Sequence, residues 1–150
     1  DFGLARIVPR GQRYHVFSDS AGTLPYMAPE LQFQDVKHGR PVDMWSVGCI
    51  LYLLLSGDLP FGQDESPEMT EDICDGRFDF DDENWDVVSD EAKELIGKLL
   101  TVDPKKRWDA SKALNCPWFT DVPGQRLSQN DLSKTVEKIR EYIARRRLKS

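Results

Sequence analysis

Residues Asp43 to Ser56 constrain the fold of this chain more than any other segment. Their sequence, DMWSVGCILYLLLS, is apolar on every side after the first helical turn, and the following Gly57 suits a helix end. A helix that is apolar all round belongs in a protein core, because it has no polar face to turn toward water. The sequence therefore predicts a core helix over residues 43–56.

Composition and charge narrow the class of protein further. The chain has 150 residues and 39% hydrophobic content, which is typical of a globular domain once its glycines are added. The longest apolar run, Val47 to Leu55, has nine residues, whereas a bilayer span requires about 18 or more, so we expect no membrane span. From residue 126 onward the net charge is +5, while residues 1–125 carry −11. This acidic body disfavours nucleic-acid binding, which depends on concentrated positive charge.

The number and spacing of the cysteines indicate in which cellular compartment the protein resides. Cys49, Cys74 and Cys116 are odd in number and include no CxxC pair, which suits neither a disulfide framework nor a zinc site. The first residues lack the charged and apolar regions of a signal peptide. We therefore expect an intracellular protein, in the cytoplasm or the nucleus.

Capping residues and apolar periodicity predict four further helices, whereas strand signals are weak. Residues 1–41 carry frequent glycine and proline and are expected to be mostly irregular. The helices are predicted after Ser66-Pro67 as far as Gly76, over about 90–100, over 109–114 with Pro117 as its stop, and near 132–148.

Five short motifs occur in a fixed order along the chain. They are DFG at 1–3, GTLPYMAPE at 22–30, DMWSVG at 43–48, LPF at 59–61 and DPKKR at 103–107. Each motif alone is weak evidence for a protein family, but the order and separation of the five motifs together resemble those of eukaryotic protein kinases.

The resemblance implies a protein kinase-like fold, which is α+β overall. This chain would cover the activation segment and the mainly α-helical lower C-lobe in residues 1–120. A linker and a basic amphipathic regulatory helix would follow in residues 121–150. The glycine-rich loop, the phosphate-contacting lysine and the catalytic loop would precede Asp1. We therefore expect residues 1–150 alone to be inactive and one side of the core helix to stay uncovered.

The resemblance also assigns roles in phosphoryl transfer from ATP. Asp1 would bind Mg²⁺ and thereby ATP, since magnesium prefers carboxylate oxygen and bridges phosphate groups. The hydroxyl of Thr23 would contact the catalytic aspartate, as in serine/threonine kinases. Leu24 and Met27 would line the pocket for the substrate residue after the phosphoacceptor.

Three structural residues follow from the same resemblance. Glu30 and Arg107, 77 residues apart, would form an internal ion pair that fixes geometry more than it adds stability. Asp43 has two compatible interpretations, a helix N-cap and a residue that holds the backbone of the catalytic loop.

Three activation-loop residues lie before the GTLPYMAPE motif. Asp19 stands where many kinases carry an activating phosphothreonine, and its carboxylate would replace part of the phosphate charge. Ser18 and Ser20 are candidate phosphorylation sites beside it.

Within the kinases, residues 98–119 and GDLPF at 57–61 resemble the calcium/calmodulin-dependent group. Residues 142–149, YIARRRLK, resemble a segment that follows the catalytic domain in several calmodulin-regulated members. Leu132, Val136, Ile139 and Ile143 form one apolar stripe on the final helix. Three hypotheses remain for residues 132–149: a helix docked on the acidic lobe, a calmodulin target, and a membrane-surface segment. If the helix is docked, calmodulin would compete with the lobe for the apolar stripe.

Two functions fit these features. The first is a protein serine/threonine kinase that uses ATP and Mg²⁺ and acts on protein substrates. The alternative is a non-catalytic pseudokinase or scaffold, whose C-lobe serves as a protein-binding module. An upstream lysine on an early strand and a His-Arg-Asp motif followed by asparagine would distinguish the first from the second.

Overall fold

The structure, a computed structural model, describes residues 5, 7, 10–11, 14–15, 22–33, 38–120 and 133–149. Within these ranges it is mainly helical, as the sequence predicts. The helices are α1 (Pro41–Ser56), α2 (Pro67–Asp75), α3 (Asp90–Leu99), α4 (Ala110–Leu114), α5 (Pro117–Thr120) and α6 (Ser133–Lys149). Two strands of two residues, β1 (Tyr14–His15) and β2 (His38–Gly39), pair antiparallel with Tyr14 opposite Gly39. No described helix is both long and apolar enough to cross a membrane.

Helix α1 lies at the centre of the described structure and contacts α3 and α6. It begins at Pro41, a favourable first helical residue, so Asp43 lies inside the first turn and the interpretation of Asp43 as the N-cap is wrong. Gly48 allows the close approach of α3, since a Cβ there would lie 2.8 Å from the Cδ2 atom of Leu100. The core position of the predicted helix is therefore confirmed.

One side of α1 nevertheless faces solvent. Val47, Ile50 and Leu54, at helical spacing, are 45%, 46% and 54% exposed. Three exposed aliphatic side chains in a row on the core helix form an apolar surface of the kind at which further protein packs. The uncovered side that we expected of this chain is therefore present.

Helices α2, α3 and α4 begin directly after the capping residues that the sequence predicts. The side chains of Ser66, Ser89 and Asp109 accept hydrogen bonds from backbone N–H groups at the starts of α2, α3 and α4. Helix α3 buries the apolar face that its periodicity predicts. Pro117, predicted to end a helix, also begins α5, because a proline at the first helical position lacks only an N–H that would be unpaired there.

Aromatic side chains fill the core beside α1. Trp45 stacks on Phe61 with ring centroids 5.5 Å apart, and Trp85 lies 4.6 Å from Tyr52 and 4.7 Å from Phe80. Trp45 and Trp85 are almost completely buried. These contacts fix the loops after α1 and α2 against the central helix.

Helix α6 docks on the C-terminal end of α1, but not through the predicted apolar stripe. Thr135 and Tyr142 are buried, whereas Val136 and Ile143 are both 44% exposed and Ile139 is half-buried. Leu132 lies outside the described residues. The prediction that docking uses the apolar stripe is therefore wrong for Val136 and Ile143. The body instead contacts an adjacent face of the helix, because Lys138 pairs with acidic groups there and Tyr142 packs on Leu53 and Leu59.

Candidate functional site

The GTLPYMAPE motif forms a compact segment that is fastened to α1. Two 3₁₀ turns, Leu24–Tyr26 and Pro29–Leu31, shape it, and the Met27 N–H donates to the Leu24 carbonyl at 2.9 Å. The Ser46 hydroxyl on α1 donates to the Tyr26 carbonyl at 2.9 Å. The backbone of this segment is thus tied to the core helix α1.

Thr23 is exposed at the edge of a cleft of about 970 Å³. Three parts of the chain contribute to the walls of this cleft: the GTLPYMAPE motif, which we predict to belong to the activation segment, the loop after α1, and helix α6. Its lining comprises Thr23, Pro25, Asp58, Leu59, Gly62, Gln63, Asp64, Glu65, Tyr142 and Arg145. Leu24 and Met27, the predicted pocket residues, are half-buried but are not among the residues that line this cleft, and Leu24 packs against the apolar core.

Glu30 and Arg107 are brought together by the fold across 77 residues of sequence. Arg107 donates from Nη1 to Oε1 and from Nη2 to Oε2 of Glu30, both at 2.8 Å. Arg107 is fully buried and Glu30 is nearly so. Two parallel charge-assisted bonds hold both planar groups in one orientation, so the pair fixes the end of the activation segment.

The remaining donors of Arg107 reach three backbone carbonyls. Nε donates to Thr101 at 2.8 Å, Nη1 also donates to Pro41 at 2.8 Å, and Nη2 also donates to Val102 at 3.1 Å. The guanidinium carbon lies 5.0 Å from the centroid of the Trp45 ring. Arg107 therefore joins the start of α1 to the loop after α3, in addition to the activation segment.

Asp43 lies in the first turn of α1 and its side chain reaches solvent. Partial burial by the surrounding protein raises the pKa of its carboxyl above the usual value. A carboxylate at the start of a helix also interacts favourably with the positive end of the helix dipole.

Several predicted site residues lie outside the described residues. They are Asp1, the candidate Mg²⁺ ligand, and the activation-loop residues Ser18, Asp19 and Ser20. Among the described residues, no group of three or more His, Cys, Asp or Glu side chains is placed to hold a metal ion.

The α6 side of the cleft carries contacts that the sequence analysis missed. The Lys138 ammonium donates to Asp58 at 2.8 Å and to Asp82 at 3.2 Å, and these hydrogen bonds raise its pKa. The Thr135 hydroxyl donates to the Leu55 carbonyl at 3.2 Å. The spacing of Thr135, Lys138 and Tyr142 at i, i+3 and i+7 could have indicated this face, but its residues are mostly polar.

A glycine is required where α6 meets the end of α1. Gly57 has φ +88°, a left-handed conformation that favours glycine, and a Cβ there would lie 2.5 Å from the Cβ of Lys138. The predicted helix stop therefore also makes room for the docked helix.

Comparisons with known proteins agree with this arrangement. The family model for the protein kinase domain matches residues 1–119. The chain is 42% identical over 148 residues to myosin light chain kinase A of Dictyostelium discoideum, covering 97% of this chain and 46% of that protein. It is 41% identical over 149 residues to the delta subunit of calcium/calmodulin-dependent protein kinase type II of Oryctolagus cuniculus, covering 99% of this chain and 27% of that protein. The chain thus spans less than half the length of either relative. It belongs to the protein kinase family, with similarity to calcium/calmodulin-dependent kinases.

Proposed function

We propose that this chain is part of a protein serine/threonine kinase that transfers the γ-phosphoryl group of ATP to protein substrates. The observation that carries the proposal is the position of Thr23 at an open cleft, on a segment fixed by the buried pair of Glu30 and Arg107. Phosphoryl transfer depends mainly on positioning and on charge stabilisation, and a segment held in this way supplies positioning.

Each candidate site residue has a proposed role in that reaction. When bound, ATP and Mg²⁺ supply the phosphoryl group and neutralise charge that develops during its transfer. Asp1 is the proposed metal ligand in this chain. The Thr23 hydroxyl orients the catalytic aspartate of the upstream loop, and Leu24 with Met27 forms an apolar pocket for the substrate residue after the phosphoacceptor.

Substitution of Thr23 in the full-length enzyme tests this proposal. Thr23→Ala removes the hydroxyl, and loss of one hydrogen bond to a charged group corresponds to about a 10- to 100-fold decrease in kcat. Thr23→Ser retains the hydroxyl and is expected to retain most of the activity. Thr120→Ala, at an exposed position on helix α5 that does not line the cleft, is a matched control that should leave kcat unchanged.

The same assay distinguishes the alternative function. A pseudokinase or scaffold would transfer no phosphate in any of these variants, including the unmodified enzyme. Equal kcat values for Thr23→Ala and the unmodified enzyme would contradict the role of Thr23 while leaving kinase activity intact.

We also propose that docked α6 restrains the enzyme and that calmodulin binds residues 132–149. The docked helix supplies Tyr142 and Arg145 to the cleft that Thr23 lines, which supports competition with a protein substrate. The exposed side of α6 presents Val136 and Ile143 near basic residues, the combination that acidic proteins with apolar grooves bind.

Two measurements test this regulation separately. Deleting residues 126–150 from the full-length enzyme should raise its activity in the absence of calcium, and unchanged activity would reject restraint by α6. A peptide of residues 132–149 should bind calcium-loaded calmodulin at micromolar concentration or below. Absence of binding would limit α6 to a structural helix.

A further inference from the structure

Helix α6 touches the activation segment through a pair of tyrosine hydroxyls. The hydroxyl oxygens of Tyr26 and Tyr142 lie 2.6 Å apart, although the residues are 116 positions apart in sequence. Either phenol can donate in this bond, since each is both a donor and an acceptor. The distance is short for a hydrogen bond between hydroxyl groups and indicates direct contact.

The ring of Tyr142 is held by the body of the protein. It is only 9% exposed and packs with Leu53 and Leu59, and Tyr26 lies against the same small apolar cluster. Since the rings are fixed by packing, the two hydroxyls meet without a further loss of side-chain freedom.

The other anchors of α6 contact different parts of the body. Thr135 bonds to the carbonyl of Leu55 at the end of α1, and Lys138 bonds to Asp58 and Asp82 in the loops beyond it. These contacts hold the first half of α6 against elements that do not belong to the activation segment. The tyrosine pair therefore connects the second half of the helix to the segment that carries Thr23.

We propose that Tyr26 and Tyr142 form a latch that couples the docking of α6 to the position of the activation segment. When α6 is docked, Tyr142 holds Tyr26 from the cleft side, while Ser46 holds the Tyr26 backbone from α1. When α6 leaves, the Tyr26 side chain loses this contact and the cleft loses one wall. The effect of the latch on enzyme activity rests on the proposed kinase function, but the contact itself does not.

The latch predicts how far hydroxyl-removing substitutions shift the equilibrium between docked and released α6. Phenylalanine at either position keeps the ring and removes one hydroxyl of the shared bond. Loss of one hydrogen bond corresponds to about a 2- to 10-fold shift in the equilibrium between docked and released α6. Because both single substitutions remove the same bond, the double substitution should shift the equilibrium no further than either single one.

Hydrogen exchange of the α6 amides in the full-length enzyme tests the latch. Tyr26→Phe and Tyr142→Phe should each speed exchange over residues 136–149 by about 2- to 10-fold, and the double variant should match the single variants. The exposed-site substitution Glu137→Gln on the same helix is the control and should leave exchange unchanged.

The outcomes separate the latch from the proposed function. Unchanged exchange in both single variants would overturn the latch, and so would a double variant whose effect equals the product of the single effects. Exchange does not depend on catalysis, so an enzyme without phosphotransfer that shows the expected exchange pattern would contradict the proposed function and support the latch. Increased basal phosphorylation in the single variants would support both.

Discussion

Replacement of Glu30 by glutamine tests the buried pair on which the activation segment depends. Glutamine has nearly the same shape as glutamate but no charge, so the substitution removes the counter-charge of Arg107 without creating a cavity. Arg107 is fully buried and cannot recover hydration by moving its guanidinium group into solvent.

The expected magnitude follows from the geometry. Both guanidinium nitrogens that face Glu30 donate at 2.8 Å, and glutamine can accept only one of these bonds through its oxygen. Removing one partner of a buried ion pair costs about 3–5 kcal/mol, because the remaining charge stays buried. We therefore expect Glu30→Gln to lower the free energy of unfolding by about 3 kcal/mol.

Denaturant unfolding of the kinase domain measures this change. Lys106→Gln is the control, since Lys106 is 79% exposed in its pair with Asp103 at 3.9 Å, and a surface pair contributes less than about 1 kcal/mol. The double variant Glu30→Gln/Arg107→Met should lose less than the sum of its single losses, because it leaves no unpaired charge. A loss for Glu30→Gln as small as that of the control would refute the reasoning.

Three further predictions concern other parts of the chain. Burial raises the pKa of the Cys49 thiol to about 12, so a thiol reagent followed by peptide mapping at pH 8 should label the partly exposed Cys74 and leave Cys49 unlabelled until the protein unfolds. The hydrogen bond from the Asn84 backbone N–H, and to a smaller extent the contact with Lys138, lower the pKa of Asp82 below its usual 3.8. The ionised carboxylate therefore stabilises the fold fully above pH 3.8, and this stabilisation is lost as the pH falls through the lowered pKa. Thermal denaturation across this acidic range should show a smaller loss of stability in Asp82→Asn than in the unmodified protein, and an equal loss in both would contradict the prediction. Asp19→Asn should lower the activity of the unphosphorylated full-length enzyme, and unchanged activity would exclude a role of its charge.

Local signals in the sequence predicted most of the helices. Ser66, Ser89 and Asp109 cap helices where the sequence indicated, because an N-cap satisfies backbone groups only a few residues away. The start of α1 was predicted wrongly, and the sequence analysis missed that Pro117 also begins α5, since proline both begins helices and ends them.

The docked face of α6 could not be predicted from the helix alone. Apolar periodicity indicated Val136 and Ile143, but the partners of Lys138 on the adjacent docked face, Asp58 and Asp82, lie more than fifty residues upstream. A periodic pattern describes one helix and contains no information about the charges on the surface that receives it.

In the candidate site, too, one contact was predicted and another was not. The contact of Glu30 with Arg107 was expected from the resemblance to kinases, and the fold brings these residues together. The contact of Tyr26 with Tyr142 had no signal in the sequence, because two tyrosines 116 residues apart carry no local pattern that relates them. Such contacts depend on the packing of the elements between them.

The central claim, that this chain belongs to a kinase acting on serine and threonine, is tested most directly by identifying the phosphorylated amino acid. The full-length enzyme would be incubated with Mg²⁺, ATP labelled on the γ-phosphate and a mixture of peptides containing serine, threonine or tyrosine. The labelled products would then be hydrolysed and their phosphoamino acids separated. We predict label in phosphoserine and phosphothreonine and none in phosphotyrosine. Label confined to phosphotyrosine, or no transferred label, would contradict the claim.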